Sequence, residues 1–137
     1  MEIRLRAALI VDQSGRILLV PHFHNDSGEV QWIIPGGKVE FGESIYSAAK
    51  REFYEETGLQ TEIIRLFDVS EVVLPEKSYH SLTIAFLAKI TGGQIEPEAD
   101  HPYGKKIPRW FDVHDIRAVS YHPAKMVEKA FGELTLK

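Results

Sequence analysis

The sequence predicts an α+β domain in which a mixed β-sheet lies between helices. Three observations predict this fold class: strand-like apolar segments recur along most of the chain, one strongly patterned helix interrupts them, and an amphipathic segment follows near the end. The 137 residues suffice for one sizeable core, and no internal repeat or low-complexity tract marks a second unit. We therefore expect a single domain over residues 1–137.

The first part of the chain predicts three strands. Residues 3–11 and 16–24 are rich in apolar side chains, and the polar turn between them, at residues 12–15, indicates a hairpin. Residues 30–34 predict a further short strand, which ends at Pro35.

Residues 44–57 predict the central helix. Glu43 and Ser44 stand at its start, where carboxylates and hydroxyls satisfy free backbone N–H groups, and Gly58 is placed to cap its end. Apolar residues recur at helical spacing, namely Ile45, Ala48, Ala49 and Phe53. The pattern predicts a helix that buries one face.

Three acids continue that buried face. Glu52, Glu55 and Glu56 fall within an arc of roughly 100° on nearly the same stripe as the apolar residues. Carboxylates turned toward the body of a protein need a cation, and oxygen-only ligands favour Mg²⁺ or Mn²⁺. Arg51 can pair with Glu55 one turn on, but one guanidinium cannot neutralise three acids. The alternative is an acidic surface with ordinary ion pairs.

Beyond the helix, the sequence predicts long strands at residues 61–74 and 79–90, joined by a turn at residues 75–77. A polar segment at residues 94–106, a short strand at 107–111, a helical turn at 112–119 and a terminal helix at 121–132 follow. The polar segment shows no clear periodicity, and long irregular segments in compact domains are often binding loops. The count is six or seven strands.

Composition excludes several classes of function. A net charge of −4 argues against a general nucleic-acid binder, which needs a basic surface. An acidic protein that acts on a phosphate needs a metal ion to bridge the like charges. The chain has no cysteine and no apolar run of membrane-spanning length, so we expect a cytoplasmic protein without disulfides or a membrane partner.

Residues 37–59 resemble the Nudix box, a long motif with many fixed positions. The matching residues, in order, are Gly37, Glu43, Arg51, Glu52, Phe53, Glu55, Glu56, Gly58 and Leu59. The segment before it, residues 32–37, resembles the approach to the box in many members. The resemblance implies the α/β/α sandwich of the Nudix fold and metal-dependent hydrolysis of a nucleoside diphosphate linked to another moiety.

The resemblance also implies roles for the box residues. Glu52 and Glu56 are the leading metal ligands, and Glu55 is a third ligand or the general base. The carbonyl of Gly36 or Gly37 completes the set of ligands, because glycines let the backbone approach an ion closely. We expect Arg51 to orient a box carboxylate. Glu43 either holds a metal-bound water or caps the helix.

The general base stays open between the box and a later loop. Its candidates are Glu52, Glu55, Glu96 and Glu98. Many members carry a further acid just before the strand that holds Arg109, whereas this chain has Lys105 and Lys106 there. These lysines either contact a phosphate or are solvated.

Arg4, Trp32 and Tyr79 are the candidate substrate contacts. Arg4 and Arg6 alternate with apolar residues along the first strand, so both could contact a substrate phosphate in a cleft, although a solvated strand face also fits. Trp32 and Tyr79 can stack on a base, although most aromatic residues in a chain of this size are core.

The histidines permit a second metal interpretation. His22 and His24 alternate along a strand and therefore share one face, and His80 begins another strand. A zinc site needs further ligands at defined geometry, and the spacing provides none.

The substrate stays open between ADP-ribose-like compounds and nucleoside triphosphates. Pro75 occupies a position that has been linked with ADP-ribose hydrolysis in the family, but prolines are also common at turns. A non-catalytic Nudix ligand-binding or regulatory module is the alternative, although such domains typically lose box acids. An isopentenyl diphosphate isomerase would usually add a catalytic cysteine. A small nucleotide is the expected partner, and a homodimer stays open.

Overall fold

The computed structural model describes residues 2–24, 27–102 and 104–135. The strands are β1 (Arg4–Gln13), β2 (Arg16–Phe23), β3 (Val30–Ile33), β4 (Gly36–Lys38), β5 (Leu59–Leu74), β6 (Tyr79–Gly93), β7 (Glu98–His101), β8 (Gly104–Lys106), β9 (Arg109–Phe111) and β10 (Ser120–His122). The helices are α1 (Ile45–Thr57) and α2 (Ala124–Ala130).

Eight of these strands form one mixed sheet. Its path runs β10-β3-β2-β1-β6-β5, while β4 pairs with β1 and β9 pairs with β2. The β1–β6 and β3–β10 pairs are parallel and the others are antiparallel. The predicted hairpin joins β1 to β2, and its tip places Ser14 at φ 55° and Gly15 at φ 79°, the left-handed pair that suits a two-residue hairpin turn.

Alternating residues of β1 supply two apolar cores. Ala7, Leu9 and Val11 pack with Ala48, Ala49 and Phe53 of α1, whereas Ala8 and Ile10 pack with Met126 and Val127 of α2. The central strand therefore carries one helix on each face, as the predicted sandwich requires.

The box helix begins and ends at the predicted caps. The Ser44 hydroxyl accepts a hydrogen bond from the backbone N–H of Ser47 at 3.0 Å. At the other end, Gly58 adopts φ 79° and its N–H donates to the Tyr54 carbonyl. The buried Thr57 hydroxyl donates to the Phe53 carbonyl at 2.7 Å and accepts from the Leu59 N–H at 3.1 Å, which joins the helix to β5.

Two sequence predictions were wrong in detail. Residues 94–106 contain the hairpin of β7 and β8, and the described residues hold ten strands instead of six or seven. The terminal helix begins at Ala124 because residues 120–122 pair with β3, and Pro123 takes the extended conformation that precedes a helix. The helical turn predicted within residues 112–119 is confirmed, as a 3₁₀ turn over Asp115–Ala118.

Across residues 2–24, 27–102 and 104–135, no helix has the length and apolar character needed to cross a bilayer.

Candidate active site

Strand β4 brings the backbone of two glycines against the box helix. Gly36 pairs with Ala8 and Gly37 pairs with Ala7 of β1. A Cβ on Gly36 would lie 2.6 Å from the Ala7 carbonyl oxygen, so only glycine fits this pairing. On the helix side, the Gly36 N–H donates to Glu56 Oε1 at 2.7 Å.

Gly37 makes room for the second acid. A Cβ on Gly37 would overlap the Glu52 carboxylate, so the acid lies directly against the Gly37 backbone. Together with the hydrogen bond from Gly36 to Glu56, this contact places two box carboxylates along one short stretch of β4. The sequence predicted close approach of the glycines, and the structure shows which acids they approach.

Arg51 ties the loop before α1 to the helix. Its Nε and Nη2 donate to the two oxygens of Glu43 at 2.8 and 3.0 Å, and Nη2 also donates to the Lys38 carbonyl at 3.1 Å. Its Nη1 donates to Glu52 at 2.9 Å and to Glu55 at 3.2 Å. The predicted pair with Glu55 is present, and Arg51 lies at the centre of a larger network.

This network keeps Glu43 and Arg51 charged. The hydrogen bonds from Arg51, followed by the backbone N–H of Glu40, lower the pKa of Glu43 to about 2. The hydrogen bonds to Glu43, and then to Glu52 and Glu55, raise the pKa of Arg51 further above its already high ordinary value. Glu43 and Arg51 therefore stay ionised near neutral pH and anchor the site instead of exchanging protons.

The donor set matches a hard divalent cation. Carboxylates of Glu52, Glu55 and Glu56 and the carbonyl of Gly37 are the oxygen ligands that Mg²⁺ prefers. Within the described residues, no three acidic or histidine side chains already converge on one metal position. Arg51 binds Oε1 of Glu52 and Oε1 of Glu55, so a cation would bind the other oxygen of each carboxylate.

The later acids lie near the end of the box helix. The backbone N–H of Glu96 donates to the Thr57 carbonyl at 2.9 Å, which brings the segment before β7 against α1. The side chain of Glu98, within β7, lies outside the described part. Lys105 and Lys106 belong to β8, where Lys105 is exposed and Lys106 is half-buried.

A cavity of about 250 Å³ lies on the face of β1 that Arg6 and Ala8 share, opposite the face that packs on α1. Its lining includes Arg6, His22, His24 and His122, together with the predicted contact Tyr79. The His22 and His24 rings lie 5.5 Å apart, as their shared face predicts. The sequence indicated Arg6 as one possible phosphate contact but did not indicate His122, because no local pattern signals the pairing of β10 with β3.

The other predicted substrate contacts lie beside the cavity. The Arg4 guanidinium lies 4.8 Å from the centre of the Tyr79 ring. Trp32 packs against Phe111 with 4.9 Å between ring centres, on the edge of the core. Its neighbours Gln31 and Ile33 line the cavity, so strand alternation turns Trp32 to the opposite side. Its role as a substrate contact stays a prediction.

The third histidine of the sequence-based metal interpretation, His80, does not line the cavity. It lies 2.8 Å from a carboxylate oxygen of Glu71, near the start of β6.

Comparisons with known proteins agree with the box. The sequence model of the NUDIX domain matches residues 2–131. An ADP-ribose pyrophosphatase of Methanocaldococcus jannaschii is 27% identical over 119 residues, which cover 87% of this chain and 68% of that protein. The NAD-capped RNA hydrolase NudC of Vibrio atlanticus is 30% identical over 127 residues, 90% of this chain but only 44% of that protein.

A solved structure shows the same fold. The NUDIX hydrolase from Nitrosomonas europaea superposes with a TM-score of 0.77 at 23% identity, covering 96% of this chain and 90% of that one. With the family match over nearly the whole chain and a complete box, the chain belongs to the Nudix family of hydrolases.

Proposed function

We propose that this chain is a metal-dependent pyrophosphohydrolase that cleaves a nucleoside diphosphate linked to another moiety. The observation that carries the proposal is the contact of two α1 acids with β4: Glu52 lies against the Gly37 backbone, and Glu56 accepts from the Gly36 N–H. This arrangement brings two carboxylates to one short stretch of backbone, and oxygen ligands of this kind suit Mg²⁺ or Mn²⁺.

Each residue of the site has a role in this proposal. Glu52, Glu55, Glu56 and the Gly37 carbonyl hold the cation, which supplies positive charge beside the diphosphate oxygens. Glu52 or Glu55 accepts the proton of the attacking water, and Glu55 is the more accessible, with 51% of its side chain exposed. Arg51 positions both carboxylates, and Glu43 keeps Arg51 in place.

The cavity beside β4 receives the nucleoside part of the substrate. Tyr79 lines it and Arg4 lies over the Tyr79 ring, so this pair forms the proposed stacking contact. Trp32 supports this region from the core side. Pro75 begins the 3₁₀ turn between β5 and β6, which accounts for its presence without reference to substrate.

The substrate groups are ADP-ribose-like compounds and nucleoside triphosphates. The relative from Methanocaldococcus jannaschii is named for ADP-ribose, which supports the first group. The absence of cysteine supports a cytoplasmic location. A homodimer stays a prediction.

A phosphate-release screen tests the proposal. Because diphosphate cleavage yields pyrophosphate or phosphomonoesters, each reaction is stopped by heat, and inorganic pyrophosphatase (for triphosphates) or alkaline phosphatase (for the other compounds), supplied with excess metal, then converts these products to the phosphate that is measured. ADP-ribose, nucleoside triphosphates, diadenosine polyphosphates and nucleotide sugars are supplied with Mg²⁺ or Mn²⁺, and the same reactions are repeated with EDTA. We expect turnover of at least one compound, its loss with EDTA, and its return when Mg²⁺ is added in excess. Turnover that survives chelation would contradict the metal assignment. Negligible turnover of every compound would favour a ligand-binding module.

A further inference from the structure

The cavity and the box acids lie on opposite sides of one backbone group. The Gly36 N–H donates to Glu56, and the Gly36 carbonyl accepts a hydrogen bond from Arg6 Nη2 at 3.3 Å. Arg6 in turn lines the cavity. If the diphosphate lies at the box acids and the nucleoside lies in the cavity, Arg6 is a cavity residue that is linked to the acids through Gly36. This step rests on the proposed function.

The cavity lining carries positive charge and hydrogen-bond donors. Arg6 is accompanied by three imidazoles, those of His22, His24 and His122, and by several hydroxyls. Among the described residues that line the cavity, none is a carboxylate. The only permanent charge that the described lining presents to a ligand is thus the guanidinium of Arg6.

The other polar groups of the cavity lining do not outweigh the positive charge of Arg6. Burial, and then the charge of Arg6, lower the pKa of His122, so its imidazole is neutral at neutral pH and offers one donor and one acceptor. Gln31 donates its amide nitrogen to the Ser120 hydroxyl at 3.4 Å, and its carbonyl oxygen is a neutral acceptor, weaker than the charged donor of Arg6. Hydroxyls can serve either way. Arg6 therefore decides which edge of a planar ligand is favoured.

We propose that this cavity holds the nucleobase and selects bases that carry a carbonyl instead of an amino group at one ring position. This position is C4 of pyrimidines, where uracil and cytosine differ, and C6 of purines, where hypoxanthine and guanine differ from adenine. Arginine pairs with carbonyl and ring-nitrogen acceptors of bases, whereas exocyclic amino groups call for acceptors such as carboxylates or amide oxygens. An amino group turned toward Arg6 would leave two donors facing each other in a confined site, which costs binding energy.

Two pairs of monophosphates test this selection. UMP and CMP differ only at C4 and in whether the adjacent N3 carries a proton, IMP and AMP differ in the same way at C6 and N1, and each is a product-like ligand. Their dissociation constants are measured by calorimetry in the presence of Mg²⁺. We expect UMP to bind about tenfold more tightly than CMP, and IMP about tenfold more tightly than AMP, from the usual discrimination of one good arginine–base contact.

Arg6→Gln should remove most of this difference, because glutamine offers both a donor and an acceptor. Arg65→Gln is the matched control: Arg65 is an exposed arginine of β5 that does not line the cavity, so its replacement should leave both ratios unchanged. Melting temperatures of both variants show whether each is folded.

Equal binding within each pair, or tighter binding of CMP and AMP by the unmodified chain, would overturn the inference. If folded Arg6→Gln keeps the preference, the preference comes from another group, and this result also overturns the inference. Because binding is measured without turnover, a chain that prefers UMP and IMP but hydrolyses nothing contradicts the proposed function alone. A chain that hydrolyses nucleotides without this preference contradicts only the inference.

Discussion

Gly37→Ala separates the position of Glu52 from its charge. The substitution leaves every acid in place but adds a methyl group where the Glu52 carboxylate lies. Gly37 does not have a positive φ, so alanine can adopt the same backbone. Oε1 of Glu52 would lie 2.7 Å from the new Cβ, whereas ordinary contacts begin at 3.4 Å. The carboxylate must therefore shift by at least about 0.7 Å, and a misplacement of about 1 Å can cost roughly a hundredfold in rate.

We expect kcat of Gly37→Ala to fall by roughly a hundredfold in the phosphate-release assay. Stability should fall by about 1 kcal/mol or less, because the disturbed ion pair between Glu52 and Arg51 is partly solvated. Gly132→Ala is the control, since a Cβ there meets no atom within 4 Å. Near-normal turnover of a folded Gly37→Ala protein would refute the placement of Glu52 as a metal ligand.

Two further predictions concern the network and the core. The pKa of Glu43 in the folded chain, about 2, lies below its ordinary value of 4.5, so its contribution to stability is present above about pH 4.5 and is lost as pH falls toward 2. The unmodified chain should accordingly melt at a higher temperature than Glu43→Gln near neutral pH, and this difference in melting temperature should narrow as pH falls from 4.5 toward 2. A difference that stays constant over this range would contradict the ion pair between Glu43 and Arg51. Phe53→Ala should lower the free energy of unfolding by about 3–5 kcal/mol in urea titrations, because Phe53 is fully buried between α1 and the sheet. A loss below about 1 kcal/mol would contradict tight packing around the Phe53 side chain.

Local patterns in the sequence predicted the elements that local interactions build. The box helix has its caps in Ser44 and Gly58, both within a turn of the groups they bind, so composition and spacing were sufficient. The long strands β5 and β6 were predicted for the same reason, through apolar alternation and the turn at Pro75. These elements position the box, which is why the metal-ligand candidates followed directly from the sequence.

Pairing between segments that are far apart in the sequence decided the parts of the fold and of the site that local patterns did not predict. β10 forms because Ser120–His122 pairs with β3, and this contact shortens the predicted terminal helix. The same pairing brings His122 to the cavity, while β2 brings His22 beside Gln31 of β3. Arg51 binding to Glu43 and to the Lys38 carbonyl likewise depends on the path of the loop before α1. No single stretch of sequence carries such information.

The turnover of Glu56→Gln tests the central claim most directly. Glutamine keeps an oxygen that can accept the Gly36 N–H, now at 2.7 Å, so the change removes charge without removing this hydrogen bond. Glu62→Gln is the control, because Glu62 is an exposed acid of β5 with only a 3.6 Å pair to Lys89. If Glu56 helps to hold a catalytic cation, which contributes several kcal/mol to transition-state stabilisation, Mg²⁺-dependent turnover should fall by at least roughly a hundredfold at an unchanged melting temperature. Turnover close to that of the unmodified chain would contradict the assignment of Glu56, and with it the metal site on β4.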